Sequence, residues 1–324
     1  MKDMDYIFAV AQIRVKEKAL LTDADINQMI SMKDEASVLQ FLSDRGWGDP
    51  SSSHVTSEQM LSAEEEKNLA MMREMKIDPK VLEVLSFPQL YHNLKTAIKE
   101  VCTQETVPGI FYALDRYDGK EMERILREKD YSRLPEHMRA TAQRAFEEML
   151  STRDAQRCDI IVDRACLEAM AAAAGKLKQP MVLKYITDQV AVADIRIAAR
   201  SVRTGKSMNF LKEAIAEGSS LDAAALCTAA AKGEEALYAY LESHGFAEAA
   251  AALKESPSAF ERWCDNRLMQ SIRPQKMNSV SIGPVVAYYL ARQNEIKMAR
   301  IIMTAKANGF SEEVIRERAR EMYV

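Results

Sequence analysis

The chain has 324 residues, with 48 acidic and 44 basic side chains for a formal net charge of −4, a balance unlike the basic patch or high pI of a dedicated nucleic-acid binder. Hydrophobic types make up 48% and charged types 28%, a globular mixture that excludes disorder. Its 11 Gly and 9 Pro are about half of average usage, too few for a turn-rich β sandwich or barrel or for a glycine-dependent phosphate-binding α/β fold. At roughly 100–200 residues per domain, this length accommodates two or three cores.

In chain order, Met1-Lys2-Asp3-Met4-Asp5 leads into an apolar run over residues 6–11, too short and too acidic at its front for a secretory signal. Thr22-Asp23-Ala24-Asp25 predicts a helix start, with the acid three residues after the threonine. Residues 46–53, Gly-Trp-Gly-Asp-Pro-Ser-Ser-Ser, predict a loop. Glu64-Glu65-Glu66 reads as a solvated run near a helix start, and Met71, Met72 and Met75 as core filling in which one helical stripe takes two of the three. The stretch Arg203-Thr204-Gly205-Lys206-Ser207 ends like a phosphate-binding loop, but Arg200 holds the place of the earlier glycine, so a helix terminus with a Gly stop is the better reading.

The last long segment is the most regular. Val285, Tyr289, Ile296, Ala299 and Met303 fall on one helix face. Pro284 suits a helix start, Asn308-Gly309 a stop, and Ser311 the N-cap of a final helix whose Glu312 and Glu313 face the positive dipole end. The apolar stretch over 282–291 is interrupted by Gly283 and Pro284 and ended by Arg292. A membrane span needs roughly 20 apolar residues, so membrane association is expected only through a partner.

Internal repetition is the stronger signal. With Pro180 placed over Pro284, Val182 meets Val286, Tyr185 meets Tyr289, Gln189 meets Gln293, Arg196 meets Arg300, Ile197 meets Ile301, Gly205 meets Gly309 and Ser207 meets Ser311. At nearly the same offset Asp159 lies over Glu261 and Asp163 over Asp265. Upstream, Asn93-Leu94-Lys95 with Lys99 matches Asp194-Ile195-Arg196 with Arg200, and Met298-Ala299-Arg300 completes the set. A shorter echo places Val38, Leu42, Gly46 and Trp47 over Leu237, Leu241, Gly245 and Phe246. The expected fold is therefore all-α, with three similar helical-bundle domains at 1–115, 116–218 and 219–324. Three such units either close around a pseudo-threefold axis or stack as a solenoid, and both shapes offer a concave surface to a partner.

Chemistry is not marked anywhere. Cys102, Cys158, Cys166, Cys227 and Cys264 form no C-x-x-C pair and read as buried small hydrophobes in a reducing compartment. His54, His92, His137 and His244 fit no metal-binding spacing. No catalytic residue, cofactor site or metal site is predicted.

The C-terminal segment carries a resemblance. Pro284-Val285-Val286-Ala287-Tyr288-Tyr289-Leu290-Ala291-Arg292, then Glu295-Ile296, Ala299-Arg300-Ile301-Ile302, Lys306, Asn308-Gly309-Phe310-Ser311, Ile315-Arg316-Glu317-Arg318 and Tyr323 closely resemble the C subunits of bacterial and archaeal V/A-type rotary ATPases, counterparts of the d subunit of the eukaryotic vacuolar ATPase. The family's N-terminal pattern Y-x-x-A-R-x-R-x-x-E-x-x-L-L is met by Ala11, Arg14, Glu17, Leu20 and Leu21, with Phe8 for the tyrosine and Gln12 for the first arginine. Asp194 and Met298 stand where the family often has the asparagine that Asn93 retains.

The resemblance implies a funnel of three helical domains around a pseudo-threefold axis, with the central shaft of D and F subunits at its broad end and the membrane proteolipid ring at its narrow end. The protein would be a peripheral, non-catalytic rotor coupling on the cytoplasmic face, with no nucleotide, nucleic acid or inserted segment. Shaft contacts are expected among Lys95, Arg196 and Arg300; the plainer reading is that they pair with helix carboxylates inside each domain. A free-standing helical adaptor is the alternative to the rotor role, and a helical enzyme with a buried ionisable cluster in a closed pocket is a third.

Overall fold

A computed structural model describes residues 6–49, 56–75, 77–114 and 116–324, and among them every regular element is helical. The N-terminal five residues, positions 50–53 of the predicted loop, His54 and the domain cut at 115 lie outside the described residues. The chain divides into two compact units, one made of residues 1–79 and 247–324, the other of residues 80–246. This partition follows contacts; the division into three repeats follows sequence, and the two need not coincide.

The first unit begins with α1 (Ile7–Lys16), α2 (Asp23–Ser31), α3 (Glu35–Asp44) and α4 (Ser57–Glu74). Thr22 starts α2 as expected: its hydroxyl accepts from the Asp25 N–H at 3.2 Å, and its own N–H donates to the Asp25 carboxylate at 2.9 Å. The second unit holds α5 (Pro79–Thr103, from Lys80 on), α6 (Gly119–Glu128), α7 (Glu136–Thr152), α8 (Ala155–Lys176), α9 (Pro180–Arg203), α10 (Met208–Ala214), α11 (Ala223–Lys232) and α12 (Glu234–Ser243). The chain then returns to the first unit through α13 (Ala247–Glu255), α14 (Pro257–Ile272), α15 (Gly283–Ala307) and α16 (Glu312–Glu317).

In the first unit α15 is the central post. Its predicted stripe of Val285, Tyr289, Ile296, Ala299 and Met303 is buried throughout. Ile296, Ile302 and Met303 share one core with Ile26, Met29 and Ile30 of α2, Val38 and Leu42 of α3, Met60 and Leu61 of α4, and Ile315 of α16. Burying side chains of this size stabilises by roughly 1.5–3 kcal/mol each before conformational entropy is counted. In the second unit α8 packs between α7 and α9, and α9 also carries α11 and α12. His137 of α7 stacks on Phe87 of α5, with centroids 4.3 Å apart, and its Nδ1 lies 3.0 Å from the Tyr91 hydroxyl.

The repeat has a structural counterpart. Helices α5, α9 and α15 are 25, 24 and 25 residues long. Gly205 and Gly309 end α9 and α15 with φ of +62° and +70°, a left-handed turn that glycine adopts at no steric cost. In both, the next N–H reaches back to the last helical turn: Lys206 to Ser201 at 2.9 Å, Phe310 to Ala305 at 3.0 Å. Ser207 and Ser311 then cap the following helices, so the glycine and Lys-Ser of the phosphate-loop look-alike form a helix stop and a cap. The shorter echo is equally close, since Trp47 N–H donates to Leu42 at 3.0 Å and Phe246 N–H to Leu241 at 2.9 Å. The described cysteines are all free and buried, and burial pushes the Cys158 and Cys166 thiols up to about 12.

Candidate functional site

The equivalent positions Asn93, Asp194 and Met298 lie on α5, α9 and α15 and do one job with three side chains. Asn93 Oδ1 accepts from the Tyr112 N–H at 2.9 Å, and its Nδ2 donates to the carbonyls of Tyr112 and Tyr117 at 2.9 and 3.0 Å. Asp194 Oδ1 accepts from the Ala216 N–H at 2.8 Å. The Arg320 N–H points at Met298 Sδ from 3.4 Å. Each long helix thus holds the strap of chain that follows it by an inward-facing acceptor. The helix N–H and C=O groups are already paired along the helix, so the strap needs a side chain. Sulfur is a weak acceptor, and in the third repeat Asp265 takes over part of the task by accepting from Arg320 Nε at 2.7 Å. Buried beside Ala216, the Asp194 carboxyl is pushed up to about 7, burial outweighing the Ala216 hydrogen bond and the nearby Arg164.

Two of the predicted cationic positions, Lys95 and Arg300, are engaged within the units. Lys95 Nζ lies 2.8 Å from Asp163 and 3.9 Å from Asp159 on α8, and Lys99 lies 2.6 Å from Asp159. Burial alone would lower the Lys95 ammonium, but the two aspartates hold it above its ordinary value. Arg300 lies 2.5 Å from Glu58 and 3.1 Å from Glu65 on α4. Arg196 is not free either. One repeat's long helix thereby reaches the helix that precedes the next long helix: α5 reaches α8, and α15 reaches α4.

A further cluster went unread in the sequence. Glu64 sits mid-helix on α4 and is buried, contrary to its reading as part of a solvated run at a helix start; only Glu66 of the three is fully exposed. Arg292 bridges Glu64 and Glu295, both buried, and lies 4.6 Å over the Trp47 ring. Glu64 also accepts from the Gly48 N–H at 2.9 Å and from Lys67 at 2.7 Å, and Glu295 accepts from the Leu21 N–H. Burial pushes the Glu295 carboxyl up to about 7, against the pull of Arg292 and Leu21. The knot ties α15, α4, the Trp47 turn and the chain entering α2. The sequence signal for it was thin, a Glu three residues after an Arg on an otherwise apolar helix. These oxygens are taken up by partners inside the protein, which suits fastening rather than acid–base chemistry. Among the described residues no group of three or more His, Cys, Asp or Glu side chains is placed to hold a metal ion.

The N-terminal motif residues also find each other. Arg14 pairs with Glu17 at 2.7 Å and donates to the carbonyls of Gln275 and Asn278 at 2.8 and 2.6 Å, pinning α1 to the loop ahead of α15.

This geometry defines a protein whose regular elements among the described residues are all helical and whose inward-facing polar residues serve as fasteners between helices. The chain belongs to the ATP synthase (C/AC39) subunit family, whose model matches residues 9–318. It is 21% identical over 268 residues to the C subunit of the V-type sodium ATPase of Enterococcus hirae, a match covering 81% of each chain. The resemblance read from the C-terminal segment and the N-terminal helix is thereby borne out. The family is that of a subunit of a membrane-associated ATPase, and no helix among the described residues is long and apolar enough to cross a membrane.

Proposed function

We propose that this protein is the non-catalytic central-stalk socket of a V-type rotary ATPase, joining the D and F shaft subunits to the proteolipid ring. It would sit peripherally on the cytoplasmic face and carry rotation between ATP turnover and proton or sodium transport. The observation that carries this reading is the family match along nearly the whole chain, joined to a fold whose polar chemistry is spent on fastening helices. A coupling must transmit torque without bending; long packed helices and a low glycine content supply stiffness.

The division at 115 and 218, and the arrangement of three domains around a pseudo-threefold axis, are part of the same proposal. Within the unit built from the chain ends, the ion pairs of Arg300 with Glu58 and Glu65 hold α15 to α4. Lys95, Arg196 and Arg300 are the proposed shaft-facing positions; Lys95 and Arg300 keep 22% and 40% of their side-chain surface exposed beyond their ion pairs.

Affinity capture of the tagged chain from detergent-solubilised membranes tests the reading. Shaft and proteolipid subunits are expected to be recovered together, and removal of the gene to leave ATP hydrolysis uncoupled from ion pumping. Recovery of neither partner would reject the socket.

A further inference from the structure

Helix α1 is apolar on two faces, and the described residues cover only one. Ala9, Val10 and Ile13 are buried. On the opposite side Ile7, Ala11, Val15 and Phe8 form one stripe at helical spacing; Phe8 is 73% and Val15 68% exposed. A helix with apolar residues on both sides is normally buried all round, so the stripe marks a surface that meets something apolar.

The patch continues beyond α1. Arg14, at the edge of the stripe, holds the carbonyls of Gln275 and Asn278, which brings the loop carrying Met277 and Val280 alongside. Met277 is 89% exposed and Val280 is exposed as well. Lys16 at the end of α1, Lys18 in the turn after it and Lys276 in the loop, whose Nζ lies 5.0 Å over the Tyr323 ring, are exposed and take no carboxylate partner among the described residues. The carboxylates beside them are already held, Glu17 by Arg14 and Glu321 by Arg273. The patch is thus apolar and locally cationic on a chain whose net charge is −4. Lys2, Asp3 and Asp5 lie outside the described residues and outside this count.

We propose that this patch rests in the interface of a lipid bilayer carrying anionic headgroups, as a shallow, in-plane contact. Two features favour lipid over a protein helix. A helix docks by laying its apolar face into a groove, whereas Phe8, Val15 and Met277 stand out from the surface. Protruding aromatic and aliphatic tips flanked by lysines are the chemistry of interfacial adsorption, in which apolar tips sink to the acyl boundary and ammonium groups stay among the phosphates. This departs from the expectation that membrane association runs only through a partner; adsorption needs no span.

The test uses the full chain and protein-free vesicles of phosphatidylcholine, with or without phosphatidylserine, read by co-sedimentation. Three lysines near an anionic surface predict binding tighter by about tenfold or more with phosphatidylserine present, weakening as salt is raised. The double variant Phe8→Ser, Met277→Ser should lose about tenfold or more in partitioning with an unchanged unfolding temperature, since both side chains are exposed. Lys16→Glu with Lys18→Glu should abolish the preference for phosphatidylserine. Absence of wild-type binding to both vesicle types, or binding indifferent to both double variants, overturns the proposal. So does a photocrosslinker on Phe8→Cys that captures a protein neighbour rather than lipid in the assembled complex. Because the vesicles contain no protein, failure here leaves the socket reading to be judged by affinity capture alone.

Discussion

Both compact units fasten a long helix by exposed ion pairs, Arg300 to Glu58 and Glu65 in one and Lys95 to Asp163 in the other, but the first adds a buried knot. In the unit built from the chain ends, Arg292 lies between two buried carboxylates under the Trp47 ring. In the central unit, Lys95 and Lys99 meet Asp163 and Asp159 where water still reaches both partners. Attraction between charges grows as the effective dielectric falls, but so does the cost of stripping each charge of water. The buried knot is therefore costly to break from one side and the open ladder is cheap. The contrast locates rigidity: the knot gathers four separate stretches of chain, whereas the ladder joins one pair of helices.

The largest expected effect comes from breaking the knot. Arg292→Met leaves Glu64 and Glu295 buried without their shared cation and should cost ~3–5 kcal/mol, read as a lower urea midpoint at constant slope. A loss below ~1 kcal/mol would mean that the carboxylates find water, and the contrast between the units would collapse. Next comes the strap position. Asn93→Ala strips the Tyr112 N–H and two carbonyls of their partner and should cost ~1–3 kcal/mol, with faster amide exchange at Tyr112.

A smaller effect concerns pH. Glu295 and Asp194 are both pushed up to about 7, from 4.5 and 3.8, chiefly by burial. Between those limits the folded state holds protons that the unfolded chain releases. Stability should therefore fall as pH rises from about 5 to about 7.5. The double variant Glu295→Gln, Asp194→Asn should flatten the dependence of unfolding temperature on pH; an unchanged slope would place the titration elsewhere. Smallest is the ladder itself. Lys95→Met should cost ~1 kcal/mol or less and the loss should shrink in high salt; a large, salt-independent loss would make the ladder as buried in effect as the knot.

Local chemistry made much of the fold legible. The helix start at Thr22, the stops at Gly205 and Gly309 and the cap at Ser311 are decided by a few neighbouring residues, whose hydrogen bonds need nothing distant. The buried stripe of α15 follows from the period of the helix. The repeat was legible because equal long helices reuse a start, a stop and one inward-facing position. The role of that position was not: Asn93, Asp194 and Met298 look unrelated until the N–H each receives is seen, because the donor lies some twenty residues downstream.

Glu64 shows the limit most clearly. Within a run of three glutamates nothing in the sequence separates the one that goes inside, since its burial depends on Arg292, more than two hundred residues away, arriving with a charge to meet it. The exposed face of α1 is the converse case. Its residues are as apolar as those that are buried, and only the packing of the remaining chain selects which side is left uncovered. Alone, the sequence determined that this chain is helical, repeated and capped where it is, because those properties arise from contacts a turn or two apart. Which charges are buried, which acceptors hold the straps and which apolar face stays open were decided by the tertiary structure, because each depends on a partner that only folding brings near.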